Sequence, residues 1–273
     1  MSTEIDRLAD LALNMRKRML KISLTCGQST HLGGGLSLVE IIATLYGEIL
    51  NVNPNEPELT SRDRFILSKG HGVLAYFAGL AEVGFINEEK FATFMQNDSD
   101  LIAHPILNLK LGIESSNGSL GQGLSFGVGL AWGARAKQES HRIFVVMGDG
   151  ECNEGAVWEA ALSAAHLKLA NLTAVIDSNS FQSDGNTSDV LSTSDLASKW
   201  RSFGWHVFEI DGHNISELLG AFREETELSR PKLILANTVK GKGISFMENN
   251  NSWHHARLTQ NFHDQALNEL EVK

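Results

Sequence analysis

The segment that most constrains the fold of this chain covers residues 142–185. An apolar run at 143–146 leads to Gly148-Asp149-Gly150, a stretch with helical spacing follows, and a second apolar run at 172–176 leads to Asp177-Ser178-Asn179. This order predicts a strand, a helix and a second strand parallel to the first. A right-handed crossover places the two strands side by side, with their carboxyl ends at the edge where open α/β sheets bind ligands.

The residues that follow these two strands predict a site for a metal ion and a diphosphate. Neighbouring parallel strands lie about 4.8 Å apart, so the carboxylate of Asp149 and the amide oxygen of Asn179 can reach one small cation. Mg²⁺ prefers such ligands and completes its shell with water and phosphate oxygens. Gly148 and Gly150 allow a tight turn near an anion, and the helix that begins near Glu154 offers free N–H groups. Either motif alone is commonly a simple turn, but their joint occurrence favours the cofactor site.

Most of the remaining chain continues the alternation of strand and helix patterns. Predicted strands cover residues 65–67, 205–210 and 233–239, and predicted helices cover 5–22, 37–49, 74–83, 195–203, 215–228 and 260–270, with a small-residue helix that ends near 137. Without repeats or linkers, this pattern predicts one α/β domain over residues 1–273, with a doubly wound, mostly parallel sheet flanked by helices. We expect the glycine-rich segment 29–35 to be a loop and Arg16, Lys17 and Arg18 to be a solvated helix face.

Four histidines lie in glycine-rich or irregular loops. They are His31, His71, His104 and His254, and Pro105 restricts His104 to an extended conformation. A single loop histidine is commonly a surface residue, although loops carry function more often than scaffold elements do. Beside a diphosphate site, neutral imidazoles can donate to sugar hydroxyls and move protons during carbonyl chemistry.

Charge and cysteine content narrow the classes of partner and compartment. The chain has 273 residues, a formal net charge of −10 and a pI near 5.5, which argues against nucleic acid and anionic membranes as partners. Cys26 and Cys152 stand far apart, which favours reduced thiols over a disulfide or a CxxC site. The N-terminus lacks a signal pattern and no apolar run reaches membrane-span length, so we expect a cytoplasmic protein.

Seven motifs occur along the chain in a fixed order. They read STHLGG, LSKGHG, AHP, GSLGQG, GDGECNEGAVWEAA, VIDSN, and KGKG to WHH. In this order the whole chain resembles the N-terminal, diphosphate-binding half of transketolases, and the 28 residues between GDG and Asn179 match the thiamine diphosphate signature. The resemblance implies thiamine diphosphate and Mg²⁺ as cofactors, with Ca²⁺ and Mn²⁺ as alternative ions. It also implies transfer of a two-carbon ketol unit from a ketose to an aldose, as in pentose phosphate metabolism.

The resemblance assigns the metal and diphosphate to particular positions. Asp149 and Asn179 would bind the metal through their side chains, and Phe181 through its carbonyl. Gly150 would contact the diphosphate through its backbone, with Gly148 in the same turn.

The same resemblance assigns the reactive end of the cofactor. Gly118 and Leu120 match positions whose backbone holds the aminopyrimidine ring, and Glu154 matches an acidic residue at the subunit interface. The four loop histidines match those around the donor sugar and the thiazolium. For the last of them, His254 and the adjacent His255 are both candidates.

The resemblance further implies a partner chain. THLGG and AHP stand where ordinary transketolases tend to read GHPG and GHP, and both are closer to the split, two-gene branch. In the family, a glutamate on a separate pyrimidine-binding domain activates the cofactor. We expect that domain and the C-terminal domain on a partner subunit, in a heterotetramer with two copies of each chain. Phosphorylated, free and otherwise modified sugars are all open as substrates.

Three other functions are compatible with parts of the pattern. The α subunit of a 2-oxo acid dehydrogenase E1 shares the metal motif, but the histidine loops disfavour it. A non-catalytic module that binds a diphosphate would not need those loops. A dinucleotide-binding dehydrogenase is disfavoured because GSLGQG does not follow a clear strand.

Overall fold

A five-stranded parallel sheet forms the centre of the molecule. The computed structural model describes residues 2–225 and 230–271. In spatial order, the strands are β2 (Arg64–Leu67), β3 (Ile143–Gly148), β4 (Leu172–Ser178), β6 (Lys232–Asn237) and β5 (His206–Asp211). A separate antiparallel pair joins β1 (Ser29–Thr30) to β7 (Ala256–Arg257). The predicted fold class is confirmed, and the predicted strand boundaries hold within two residues; the short pair was not predicted.

Helices cover both faces of this sheet. The α-helices among the described residues are α1 (Ser2–Thr25), α2 (Leu32–Leu36), α3 (Val39–Thr44), α4 (Val73–Glu82), α5 (Glu88–Phe91), α6 (Gln122–Ala136), α7 (Gly155–His166), α8 (Thr187–Val190), α9 (Leu196–Ser202), α10 (Ile215–Arg223) and α11 (Gln260–Glu271). The helix predicted over 215–228 ends at Arg223, and residues 226–228 of that span lie outside the described residues. No helix in the described ranges is both long and apolar enough to cross a membrane.

The inner strands β3 and β4 are buried on both faces because the core has two layers. Along β3, Phe144 and Val146 join the cluster packed by α1, α3, α4 and α10, whereas Ile143, Val145 and Met147 join the cluster packed by α6, α7 and α9. A parallel sheet with both faces covered gives continuous apolar runs rather than alternation. This explains why these strands appear in the sequence as continuous apolar runs.

The glycine-rich segment predicted as a loop is partly helical. Gly33, Gly34 and Gly35 lie within the buried helix α2. A Cβ on Gly33 would lie 2.8 Å from the carbonyl oxygen of Trp253, and one on Gly35 would lie 2.9 Å from Met19 Cε. Tertiary packing overrides the low helix propensity of glycine here, because only residues without a side chain fit between these neighbours.

The expectation of a solvated basic face on α1 is wrong for one residue. Lys17 and Arg18 are partly exposed, but Arg16 is only 6% exposed. Its guanidinium lies 2.6 Å from the carboxylate of Glu40 on α3. A buried opposite charge, which helical spacing could not reveal, explains the difference.

Candidate active site

Several loops at the carboxyl edge of the parallel sheet surround one cavity of about 290 Å³. The segments that follow β2, β3, β4 and β6 all contribute to its lining. All predicted site residues except Glu154 line this cavity: His31, His71, His104, Gly118, Leu120, Gly148, Asp149, Gly150, Asn179, Phe181 and His254. The structure therefore brings together residues that are up to 223 positions apart in the sequence.

Asp149 and Asn179 follow adjacent parallel strands, as the predicted crossover requires. The backbone N–H of Ser180 donates to Asp149 Oδ2 at 2.8 Å, which holds the two segments together. Asn179 Nδ2 donates to Asp177 Oδ2 at 3.1 Å, and Asn179 Oδ1 accepts from the backbone N–H of Phe181 at 3.1 Å. Burial, followed by the nearby charge of Asp177, raises the pKa of Asp149 above its ordinary value. A cation at this edge would offset the cost of keeping the carboxylate ionised.

The turn at Gly150 fits a diphosphate with a metal ion. A Cβ on Gly150 would lie 2.6 Å from Gln182 Cγ, so a side chain here would displace Gln182. Gln182 Nε2 is buried and has no hydrogen-bond partner among the described residues, which leaves a donor for an anion. The described residues contain no cluster of three or more His, Cys, Asp or Glu side chains that could hold a metal by themselves. An ion here would need phosphate, carbonyl and water oxygens, the ligands that Mg²⁺ commonly takes.

The predicted histidines form a compact cluster. The ring centre of His31 lies 5.4 Å from that of His71, 6.1 Å from that of His104 and 5.4 Å from that of His254. Burial, followed by neighbouring positive groups, lowers the pKa of His31 to about 3 and that of His254 to about 4. Burial also lowers the pKa of His71 and of His104. The four imidazoles are therefore neutral at pH 7, and each offers one N–H donor and one acceptor.

Lys240 determines the tautomer of His254. Lys240 Nζ lies 2.7 Å from His254 Nδ1 and 2.6 Å from Asn251 Oδ1. Burial lowers the pKa of Lys240 to about 8, which leaves the amine mostly protonated at pH 7. An ammonium group can only donate, so His254 Nδ1 accepts and its proton lies on Nε2. His255 is exposed and lies with its ring centre 4.4 Å from that of His31, outside the cavity lining, which favours His254 as the site residue.

A buried ion pair beside the cavity was not predicted. Lys69 Nζ lies 2.5 Å from Asp177 Oδ2 and donates to the carbonyl of Gly34 at 3.2 Å. Burial alone would raise the pKa of Asp177, but Lys69 and the hydroxyls of Ser37 and Thr238 outweigh it and lower the pKa. Lys69 belongs to the LSKGHG motif, yet its partner is 108 residues away. Only tertiary contact identifies such a pair.

Two acidic residues of the GDGECNEG segment have different environments. Glu151 is buried and accepts from the N–H groups of Gly121 at 2.9 Å and Gly148 at 3.1 Å, which ties the start of α6 to the end of β3. Burial raises the pKa of Glu151. Glu154 is exposed before α7 and lies outside the cavity lining, so its role at a subunit interface stays a prediction. Sequence spacing gave no signal that Glu151 turns inward.

Comparison with known protein families decides among the predicted classes. Residues 12–271 match the family model described as transketolase, thiamine diphosphate binding domain. The chain belongs to the transketolase family. The match covers nearly all of the chain and agrees with the motifs found in the sequence.

Curated relatives of similar length are named as transketolase subunits. The chain is 39% identical over 259 residues to one subunit of the apulose-4-phosphate transketolase of Phocaeicola vulgatus, and the match covers 94% of this chain and 92% of that protein. It is 40% identical over 242 residues to the 6-deoxy-6-sulfo-D-fructose transketolase subunit SqwG of a Clostridium species, and the match covers 88% of both chains. Human transketolase is 35% identical over 270 residues, but the match covers only 42% of its length. The dehydrogenase and non-catalytic alternatives are not favoured.

Solved transketolases share the fold. The transketolase of Leishmania mexicana superposes with a TM-score of 0.89 at 29% identity over 97% of this chain, and that of Campylobacter jejuni with 0.86 at 27% over 98%. The match covers 41% and 43% of those two chains, respectively. This chain therefore spans about two fifths of the length of the solved transketolases.

Proposed function

We propose that this chain is the thiamine diphosphate-binding subunit of a two-chain transketolase, which transfers a two-carbon ketol unit from a ketose to an aldose. One observation carries the proposal: a single cavity combines four neutral histidines with Asp149 and Asn179 at the carboxyl edge of the sheet. Relatives that are named as transketolase subunits, and that match over nearly their whole length, support it. The domain over residues 1–273 would supply one side of the active site.

The cavity residues divide into groups that hold different parts of the cofactor. Asp149, Asn179 and the carbonyl of Phe181 would hold Mg²⁺, and the backbone of Gly148 and Gly150 would contact the diphosphate. The backbone at residues 118–120 would hold the aminopyrimidine. When bound, thiamine diphosphate supplies a carbon nucleophile and an electron sink.

The histidines would bind and orient the sugar. Because they are neutral at pH 7, each can donate to one substrate oxygen and accept from another hydroxyl. His254 keeps its proton on Nε2, since Lys240 occupies Nδ1. The same imidazoles can hold or accept a proton at the carbonyl and hydroxyl oxygens of the substrate, which is general acid and base chemistry.

A partner chain would complete the site with its catalytic glutamate. The two relatives of similar length are each named as one subunit of a transketolase, which implies partner chains in those proteins. In this chain, the packed helices α6 and α7 expose the large apolar side chains Phe126, Trp132 and Leu162, which are 46%, 52% and 61% exposed. Exposed apolar surface of this kind is typical of contacts between protein chains. We assign it to the partner in a heterotetramer with two copies of each chain.

Two further features bear on the compartment and on the sugars. Cys26 and Cys152 are both free thiols, which fits a reducing, cytoplasmic location. The names of the relatives include a phosphorylated and a sulfonated sugar, so we propose sugars or sugar phosphates as substrates.

A reconstitution experiment tests the proposal. The chain would be purified together with its partner, and the pair would be assayed with Mg²⁺, thiamine diphosphate, a panel of ketose donors and an aldose acceptor. We expect ketol transfer by the pair and no decarboxylation of 2-oxo acids. Decarboxylation without transfer would contradict the transketolase assignment, and full activity of this chain alone would contradict the need for a partner.

A further inference from the structure

A buried charged network lies outside the lining of the cavity. Arg16 Nη2 lies 2.6 Å from Glu40 Oε1, and Glu40 Oε2 lies 2.8 Å from His213 Nδ1. Arg16 and Glu40 are 6% and 8% exposed. The three residues come from α1, α3 and the connection between β5 and α10. Removing such charges from water is costly unless their bonding groups find good partners.

The two ends of this network bind one short backbone segment. His213 Nε2 accepts from the N–H of Val239 at 2.8 Å, and Arg16 Nε donates to the carbonyl of Lys242 at 3.2 Å. Because His213 Nε2 is an acceptor, Nδ1 of the neutral ring carries the proton and donates to Glu40. The network therefore holds this four-residue segment at its first and last residues.

The segment held in this way carries Lys240 into the cavity. Lys240 is 1% exposed, and its ammonium group contacts His254 Nδ1. The next residue, Gly241, has φ = +80°, and a Cβ there would lie 2.3 Å from the carbonyl oxygen of Met247. The backbone is thus tightly enclosed, and a shift at either held end would displace the ammonium group from His254.

We infer that Arg16, Glu40 and His213 form a clamp that positions Lys240, and through it His254, in the cofactor cavity. The clamp residues are positioning residues, since none of them lines the cavity. The functional part of this inference, that the clamp supports the cofactor cavity through Lys240 and His254, rests on the proposed thiamine diphosphate site. The backbone part, that the clamp holds residues 239–242 in place, rests only on the contacts of the clamp.

Hydrogen exchange of the chain alone tests the backbone part. His213→Asn shortens the side chain and removes the acceptor for Val239, and Arg16→Lys keeps the charge beside Glu40 but lacks the Nε that reaches Lys242. Without its hydrogen bond, the amide of Val239 should exchange about tenfold faster in His213→Asn. The exposed His166→Gln is the matched control and should leave exchange unchanged. If the amide of Val239 in His213→Asn exchanges at the rate of the unsubstituted chain, and the amides of β3 and β4 are also unchanged, the clamp is overturned.

Cofactor binding in the complex with the partner tests the functional part. Because the cavity histidines would also surround the thiazolium, we expect His213→Asn to weaken thiamine diphosphate binding in the presence of Mg²⁺ about tenfold, which corresponds to the loss of roughly one supporting hydrogen bond. Arg16→Lys should act in the same direction.

A double-mutant cycle then separates positioning from general weakening. If His213 acts through Lys240, the double variant His213→Asn with Lys240→Gln should bind no more weakly than Lys240→Gln alone. Additive effects, or unchanged affinity in His213→Asn, would overturn the functional part. If the unsubstituted complex fails to bind thiamine diphosphate, the proposed function is wrong, and the exchange rate of Val239 still decides the clamp.

Discussion

At the scale of single residues, burial sets the protonation of the cavity histidines. The ring centre of His31 lies 5.4–6.1 Å from those of His71, His104 and His254, so a positive charge on His31 would repel a charge on any of the others. Burial lowers the pKa of all four, and neighbouring positive groups lower the pKa of His31, His71 and His254 further. The cluster can therefore supply uncharged donors and acceptors at neutral pH, which carbonyl and hydroxyl groups of a sugar require.

This protonation state predicts how stability depends on pH. The pKa of His31 is about 3 in the folded chain and about 6.5 when unfolded, so the unfolded chain binds more protons as pH falls. The contribution of His31 to the free energy of unfolding should be constant above pH 6.5 and should decrease as the pH falls from 6.5 towards about 3. Denaturant unfolding at pH 7.5 and pH 5 measures this. Between these two pH values, the free energy of unfolding of His31→Asn should decrease less than that of the unsubstituted chain. His166→Gln, at an exposed position, should show the same decrease as the unsubstituted chain. Equal decreases for all three proteins would contradict the lowered pKa of His31.

The proposed metal site predicts a second change at this scale. Asp149→Asn has nearly the same size as the original residue but removes the negative charge that would face the cation. Losing charge-assisted contacts should cost about 3 kcal/mol, or roughly 100-fold in the dissociation constant of thiamine diphosphate with Mg²⁺. Titration calorimetry on the complex with the partner measures it. Asp100→Asn, on an exposed carboxylate paired with Lys90, should have no effect, and unchanged affinity in Asp149→Asn would refute the role of that residue.

At the scale of elements, two glycines of α6 lie in different environments. Gly127 faces the sheet, where a Cβ would lie 2.6 Å from Val145 Cγ2 on β3. Gly129 lies on the same helix, but a Cβ there would meet nothing within 4 Å. Close packing therefore holds on one side of this small-residue helix only. The exposed glycine costs helix stability without any packing contact that explains it.

This difference gives a matched pair of variants on one helix. Gly129→Ala should stabilise the chain by about 0.5–1 kcal/mol, because alanine loses less backbone entropy in a helix. Gly127→Ala should destabilise it by about 1–3 kcal/mol, because the added methyl group overpacks against β3. Urea unfolding of both variants measures the two values. Equal effects of the two substitutions would contradict the packing of α6 on β3.

At the scale of the whole molecule, one sheet edge collects residues from distant segments. The parallel topology directs the ends of β2, β3, β4 and β6 to the same side, and helices on both faces bury the strands. The exposed apolar residues on α6 and α7 are part of neither core layer. The molecule thus has a buried scaffold, a polar edge with a cavity, and an apolar surface that we assign to the partner.

The proposed partner surface predicts an assembly defect. Leu162 is 61% exposed, and burying a leucine at an interface contributes about 1.5–3 kcal/mol. Leu162→Glu should therefore weaken association with the partner by at least about tenfold. Analytical ultracentrifugation of the two chains mixed together measures it. Leu59→Glu, which alters an exposed leucine in the connection before β2, is the control, and equal association of both variants would exclude this surface as the contact.

The sequence by itself determined the crossover at residues 142–185, the fold class and the polar residues at the strand ends. These features depend on local periodicity and turn chemistry, which neighbouring residues carry. Only the tertiary structure decided that Arg16 is buried against Glu40 and that Lys69 pairs with Asp177 108 positions away. It also decided that a triple-glycine segment is helical. In each case the deciding contact joins segments far apart in sequence, so the free energy that selects it arises only when those segments pack together.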